Sequence, residues 1–194
     1  MRLIGLPFKI IIGVTLFILL IGAYYSTTII NTSSKSKIQY GEKIYNGKFI
    51  TPVENFIIVT SKYGYRAPVY NSQGVQISGG KKHTGIDICG SIGSNVLCVK
   101  YGEVTWAGWQ KGYGNCVEVR HIGDDGNIFY TFYAHMRDNS ICVEQGQIVE
   151  EGQVIGIQGS TGNSTGDHLH FEIRLKDKST IDPAPYLFDR REKI

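Results

Sequence analysis

The sequence predicts an all-β domain, an antiparallel sheet or sandwich, behind one apolar N-terminal segment. Three observations carry this. Glycine is abundant, 24 of 194 residues, and sits between short apolar runs, the punctuation of strands joined by tight turns. Several runs alternate apolar and polar residues, the period of a half-buried strand. After the N-terminal segment no long amphipathic helical period occurs.

The N-terminal segment comes first. No side chain between Lys9 and Lys35 is charged, and Ile10 to Tyr25 is almost wholly apolar. A membrane-spanning helix needs roughly 20 such residues, and Tyr24 and Tyr25 suit an interface. Arg2 and Lys9 precede it, so the positive-inside rule predicts a single-pass inner-membrane anchor with the remaining chain in the periplasm. A cleaved signal peptide is the other reading, although the charge-free stretch exceeds an h-region of about 7–15 residues. A buried core helix fits poorly, because the segment is apolar on every side. The expected division is an anchor or signal peptide over 1–30, a polar juxtamembrane linker over 31–55, a β-rich domain over 56–188 and a tail over 189–194.

Within the domain, Phe56 to Thr60 reads as a strand and Ser61 to Gly80 as loop. Val96–Val99, Gly102–Ala107, Cys116–Arg120 and Ile128–Tyr133 read as further strands. Gly123-Asp-Asp-Gly-Asn127 between the last two is a hairpin signal. Ile148–Val149, Val154–Ile157 and His168–Leu175 complete the set. A faint internal echo links Gly90–Val96 with Gly146–Val154, each a glycine turn feeding a strand.

Composition excludes some classes. The net charge is +3 with no run of like charges, so the clustered basic patch of a nucleic-acid binder is missing. Cys89, Cys98, Cys116 and Cys142 form no Cys-x-x-Cys pair and do not read as zinc ligands. In an exported chain they permit two disulfides, with Cys89–Cys98 and Cys116–Cys142 the expected pairing. Four buried thiols acting as small hydrophobes are the alternative.

The chemistry lies in the histidines. His168 and His170 stand two apart in a strand-like run, so both rings share a face, roughly 7 Å apart. That spacing suits one metal ligand and one helper. His83 and Asp87 are four apart, but Gly79, Gly80 and Gly85 argue against a helix. In a straight strand they would sit roughly 13 Å apart, so the chain must bend between them, with Gly85 the residue to permit it. Imidazole and carboxylate are both good zinc ligands, and a catalytic zinc keeps a position open for water. His135 is uninformative alone, and His121, near a turn, reads as structural.

Ser61-Lys-Tyr-Gly-Tyr-Arg66, His83-Thr-Gly-Ile-Asp87, Gly112-Tyr-Gly-Asn115, Tyr133-Ala-His135, Gly152–Gly156, Gly159–Gly166 and His168-Leu-His170-Phe-Glu172 occur in order. Together with Asp182-Pro183 they resemble the lysostaphin/LytM-type zinc metallopeptidases. The resemblance implies a β-rich, duplicated fold with a narrow groove, one zinc ion, and cleavage of peptide cross-links in bacterial peptidoglycan. By position, His83, Asp87 and His170 resemble the zinc ligands, and His135 and His168 the catalytic histidines. The Gly159–Gly166 loop, with Gly159, Ser160, Thr161, Asn163 and Thr165, is expected to border the groove and seat peptide.

The sequence departs from the family in two places. The tyrosine that some members place before the first zinc histidine is replaced by Ile77–Lys82, leaving Tyr70 a distant candidate. Cys89 and Cys98 stand where small residues are usual. A membrane-tethered endopeptidase acting on stem peptides, with D-Ala–diaminopimelate the favoured bond and a regulatory or envelope-assembly partner, is the leading expectation. A non-catalytic module that binds or activates other cell-wall enzymes is the alternative, and a zinc-dependent toxin fits less well.

Overall fold

The computed structural model describes residues 49–187. The expected anchor, most of the linker and the tail lie outside the described residues. Among the described residues no helix is long and apolar enough to cross a membrane. The strands are β1 (Phe56–Ser61), β2 (Gly64–Arg66), β3 (Val69–Tyr70), β4 (Gln76–Ser78), β5 (Lys81–His83), β6 (Ile86–Gly90) and β7 (Asn95–Leu97). They continue as β8 (Gly102–Gln110), β9 (Gly114–Ile122), β10 (Ile128–Met136), β11 (Ile148–Val149), β12 (Val154–Ile157), β13 (Leu169–Leu175) and β14 (Thr180–Ile181). One helical turn, α1 (Ala184–Leu187), follows.

The all-β expectation is met. An eight-stranded antiparallel sheet runs β1-β6-β13-β10-β9-β8-β11, with β14 beside β13. The β9–β10 hairpin closes through the expected turn, where Gly123 N donates to Asn127 O at 2.8 Å. The two echoing segments lead into β7 and β12, which pair with each other. Ser61 to Gly80 is not simple loop: β3 pairs with β4, and β2 reaches back to β5.

Period-2 alternation gives the large sheet two chemically different faces. Ile86 and Ile88 of β6, Leu169, Phe171 and Ile173 of β13, Phe129 and Tyr133 of β10, and Val117 and Val119 of β9 are buried in one apolar cluster. The residues between them, Asp87, His170, Glu172 and Glu118, are buried and polar. The core anchors one side of the strands while the other side presents titratable groups.

The packed unit begins before Phe56, the boundary read from the sequence. Phe49 stacks on Phe129 and Tyr186, and Val53 bridges to Val96 and is buried. Polar neighbours mask these two apolar anchors in the sequence. The expected disulfides are not formed, and all four cysteines are free. Each thiol donates to a backbone carbonyl instead: Cys89 to Asp167, Cys98 to Lys100, Cys116 to Gly108 and Cys142 to Val154.

Candidate metal centre

β5, β6 and β13 bring three donors together. His83 ends β5, and Asp87 of β6 lies in register with His170 of β13. His83 Nε2 is 3.0 Å from Asp87 Oδ1, and His170 Nδ1 is 2.8 Å from the same oxygen and 3.0 Å from His83 Nε2. The expected bend between His83 and Asp87 is therefore present. Gly85 is required there for close approach: a Cβ would sit 2.2 Å from Phe171 O and 2.8 Å from Glu172 Cγ. It lets the bend press against β13, and its φ is not in the left-handed region.

The donor set fits zinc. Two imidazoles and a carboxylate are ordinary zinc ligands, and bonds of about 2.0–2.1 Å around a tetrahedron separate donors by roughly 3.3 Å. The three observed contacts need to spread only by a few tenths of an ångström. Both rings are buried, so water competes little for the donors.

A second set of contacts fixes which atom of each ligand faces inward. His83 Nδ1 lies 2.8 Å from Lys62 O, which makes Nδ1 the protonated nitrogen and frees Nε2. His170 Nε2 lies 2.9 Å from Glu172 Oε1, which turns Nδ1 toward Asp87. Glu172 is itself held by Arg174 Nε at 2.6 Å, Thr84 Oγ1 at 2.5 Å and Tyr113 Oη at 3.1 Å. Asp87 Oδ2 accepts from Arg66 Nη2 at 2.7 Å. Outer partners of this kind orient ligands and tune their basicity.

The electrostatics follow from these contacts. Burial pushes the Asp87 carboxyl up, but hydrogen bonds from His170 and His83 win and hold it well below the usual carboxylate range. Burial likewise opposes ionisation of Glu172, yet His170 and Arg174 bring it down to about 2. His170 is raised, because Asp87 and Glu172 together outweigh its desolvation. The site thus favours a cation between its carboxylates.

His135 and His168 flank this cluster. Their ring centroids are 4.9 Å apart, His168 Nε2 is 3.7 Å from Asp87 Oδ1, and His135 stands edge-on to His170 at 5.8 Å. His168 shares the polar side with His170, as strand spacing predicts. His135 does not follow alternation: Phe129, Thr131 and Tyr133 face the core, and the next in phase is His135. A bulge between Tyr133 and Met136 interrupts the pairing with β9, and His135 takes φ 62°. Met136 is then buried in the core while His135 faces the site. Its Nδ1 lies 2.7 Å from Thr161 O, and His168 Nδ1 lies 2.8 Å from Gly166 O. A carbonyl partner needs N–H, so in both neutral rings Nε2 carries the free lone pair. Burial lowers the His135 pKa to about 4.

A cleft of about 390 Å³ contains these groups, walled by Arg66, Lys82 and Tyr113. Of the loop residues expected to seat peptide, Asn163 and Thr165 line it, joined by Ser164. Gly159, Ser160 and Thr161 do not. Thr161 supports His135 through its carbonyl, and its hydroxyl donates to Met136 O at 2.6 Å. A Cβ at Gly159 would meet Arg137 N at 2.4 Å, and Ser160 Oγ turns to Ser164 Oγ. These three shape the loop from behind. Tyr70 lies in the exposed β3–β4 ribbon and does not line the cleft; Tyr113 does. Sequence reasoning missed Tyr113 and Arg174, whose only signal was their place in or beside the Gly112–Asn115 and His168–Glu172 motifs. His121 lies apart, buried and hydrogen-bonded to Tyr101 O and Thr131 Oγ1.

Comparison with known proteins finds one family and relatives of two kinds, peptidases and a hydrolase activator. The model of peptidase family M23 matches residues 81–183. The DD-carboxypeptidase/endopeptidase Mpg of Neisseria meningitidis serogroup B is 39% identical over 135 residues, covering 66% of this chain and 28% of the relative. The murein hydrolase activator NlpD of Escherichia coli K12 is 42% identical over 113 residues, covering 58% of this chain and 27% of the relative. This chain therefore aligns with little more than a quarter of either relative. The catalytic domain of lysostaphin from Staphylococcus simulans superposes with a TM-score of 0.51 at 32% identity, covering 66% of this chain and 91% of that domain.

Proposed function

Since the chain belongs to peptidase family M23, we propose that it is a zinc-dependent metalloendopeptidase that hydrolyses peptide cross-links of bacterial peptidoglycan, with D-Ala–diaminopimelate the favoured bond. One observation carries this reading. The donor atoms of His83, Asp87 and His170 all lie within 4.8 Å of one another, and two further histidines flank them without joining the set.

His83 Nε2, Asp87 Oδ1 and His170 Nδ1 would hold the metal. Zinc, when bound, supplies a Lewis acid for the scissile carbonyl and lowers the pKa of water toward about 7. His135 and His168 present Nε2 to the cleft in one enforced tautomer. Either ring accepts a proton from the attacking water, and as imidazolium it faces the developing oxyanion or returns the proton to the leaving amine. Asn163, Ser164 and Thr165 offer polar groups along the wall where a peptide backbone would lie.

The location is part of the same proposal: a single-pass inner-membrane protein with this domain in the periplasm, where a regulatory or envelope-assembly partner restricts access to the wall. The charge-free N-terminal stretch supports it. A second reading, a module that activates other wall enzymes, is favoured by the similarity to NlpD. Digestion of cross-linked muropeptides by the full chain, with and without chelator, separates the two. Chelator-sensitive conversion of dimers to monomers is expected, and an unchanged product profile would favour the activator.

A further inference from the structure

A second cavity, of about 420 Å³, opens beside the metal cleft, and Thr84 and Tyr113 line both. Its floor is the polar face of β9, β10 and β13. Phe132 lies at the base with the Arg174 guanidinium 3.6 Å above its ring. Trp106, 41% exposed, forms part of the wall. Charges alternate along the cavity. Lys178 Nζ meets Glu118 Oε1 at 2.7 Å, Arg174 Nη1 meets Glu118 Oε2 at 3.0 Å, and Arg174 Nε meets Glu172.

The four charged groups are not equivalent. Glu172 is committed to His170, Arg174 bridges Glu172 and Glu118, and both side chains are largely buried. Lys178 is half exposed, on the turn between β13 and β14, where its ammonium also lies over the Tyr130 ring, and Glu118 keeps Arg174 and Thr105 when Lys178 swings out. The Lys178–Glu118 pair is therefore the part that can open. A neutral ligand that opened it would leave Glu118 Oε1 without its ammonium partner and give Lys178 nothing in exchange. A ligand bearing one charge would satisfy one partner and strand the other. A group carrying both an ammonium and a carboxylate replaces each lost contact, the ammonium on Glu118 Oε1 and the carboxylate between Lys178 and Arg174. Trp106, the exposed aromatic of the wall, would cover the methylenes that lead to it.

We propose that this cavity is a side-chain subsite for the zwitterionic end of a peptide side chain, of the kind diaminopimelate carries. The inference rests on the reading of the adjoining cleft as a peptide-cleaving site, and it names the side chain that decides which cross-links enter.

The chain has two tryptophans, Trp106 and Trp109, so Trp109→Phe leaves Trp106 as the sole emitter in the cavity wall. The test titrates the zinc-loaded full-length Trp109→Phe chain with the stem tripeptide L-alanyl-γ-D-glutamyl-diaminopimelate. Three other probes are the same peptide ending in lysine, the same peptide with the diaminopimelate side-chain carboxylate amidated, and the N-acetylglucosamine–N-acetylmuramic acid disaccharide. A saturable change in Trp106 emission is expected for the free diaminopimelate peptide, at least tenfold weaker binding for the lysine and amide forms, and none for the disaccharide. Glu118→Gln and, independently, Lys178→Met on its exposed turn are each expected to close that tenfold gap. Equal binding of the three peptides, or a response to the disaccharide alone, would overturn the subsite. Hydrolysis is not read in this titration. Discrimination by a chain that leaves dimers uncut would sustain the subsite and remove the endopeptidase reading, whereas dimer cleavage without discrimination would do the reverse.

Discussion

Glu172 Oε1 stands 2.9 Å from His170 Nε2, and this contact decides which nitrogen of His170 faces Asp87 and His83. A histidine with both edges free has two tautomers and two flips. Here one edge is occupied by a carboxylate that Arg174, Thr84 and Tyr113 hold in place. This contact holds the His170 ring with Nδ1 toward Asp87 and His83, the orientation a shared metal would need.

Glu172→Gln is therefore expected to weaken zinc binding by about 10–100-fold, the range for an outer partner of a metal ligand, with little change in secondary structure. Competition against a chromophoric chelator measures it. Unaltered affinity would mean that β13 packing alone orients His170.

The unusual backbone of His135 gives a stability prediction. A residue with a side chain at φ 62° bears a steric cost of roughly 1–2 kcal/mol that glycine escapes. His135→Ala and His135→Gly should both lose activity, but the glycine variant should be the more stable by about 1 kcal/mol. Urea denaturation of the pair reads the difference, and equal midpoints would remove the claim of strain at this bulge.

His121 predicts acid sensitivity away from the metal. Burial depresses its pKa to about 4, against 6.5 for the free side chain. The unfolded chain thus binds a proton that the folded chain refuses between about pH 6.5 and 4. Its contribution to stability is full above pH 6.5 and is lost as the pH falls through that window, at up to about 1.4 kcal/mol per pH unit. In the neutral ring Nδ1–H donates to Tyr101 O, and Nε2 lies 2.7 Å from Thr131 Oγ1. Folding free energies measured across this range should fall less steeply in His121→Asn than in the parent chain; parallel curves would assign the loss to other groups.

The cysteines predict an alkylation pattern. Cys142 is exposed, whereas Cys98 and Cys116 are buried and burial lifts both thiols to about 11, so too little thiolate forms for reaction at neutral pH. Without reductant, the native chain should label Cys142 fastest, and the denatured chain should take four labels by intact mass. Fewer than four would restore the disulfide expectation.

Four of the candidate site residues, His83, Asp87, His168 and His170, were legible because their chemistry is tied to spacing, whereas His135 was named only through the family resemblance. His168 and His170 share a face through strand geometry alone, and His83 and Asp87 demanded a bend that the chain makes. What was not legible depends on neighbours distant in sequence. His135 reaches the site only because a bulge breaks the phase of β10. Gly85 answers to the backbone of Phe171, 86 residues later. The roles of Arg174 and Tyr113 appear only once β9, β10 and β13 are side by side, and Phe49 and Val53 read as linker until the core they complete is seen.

The most direct test of the account measures zinc content and cleavage of a cross-linked muropeptide dimer on the same preparations of the parent chain, His170→Ala and His168→Ala. The parent should hold one zinc per chain and convert dimer to monomer. His170→Ala should lose both properties, and His168→Ala should keep its zinc while turnover falls by roughly 10²–10⁴-fold, the usual scale for a proton-transfer group. A parent chain that carries a full complement of zinc and leaves the dimer intact would contradict the account.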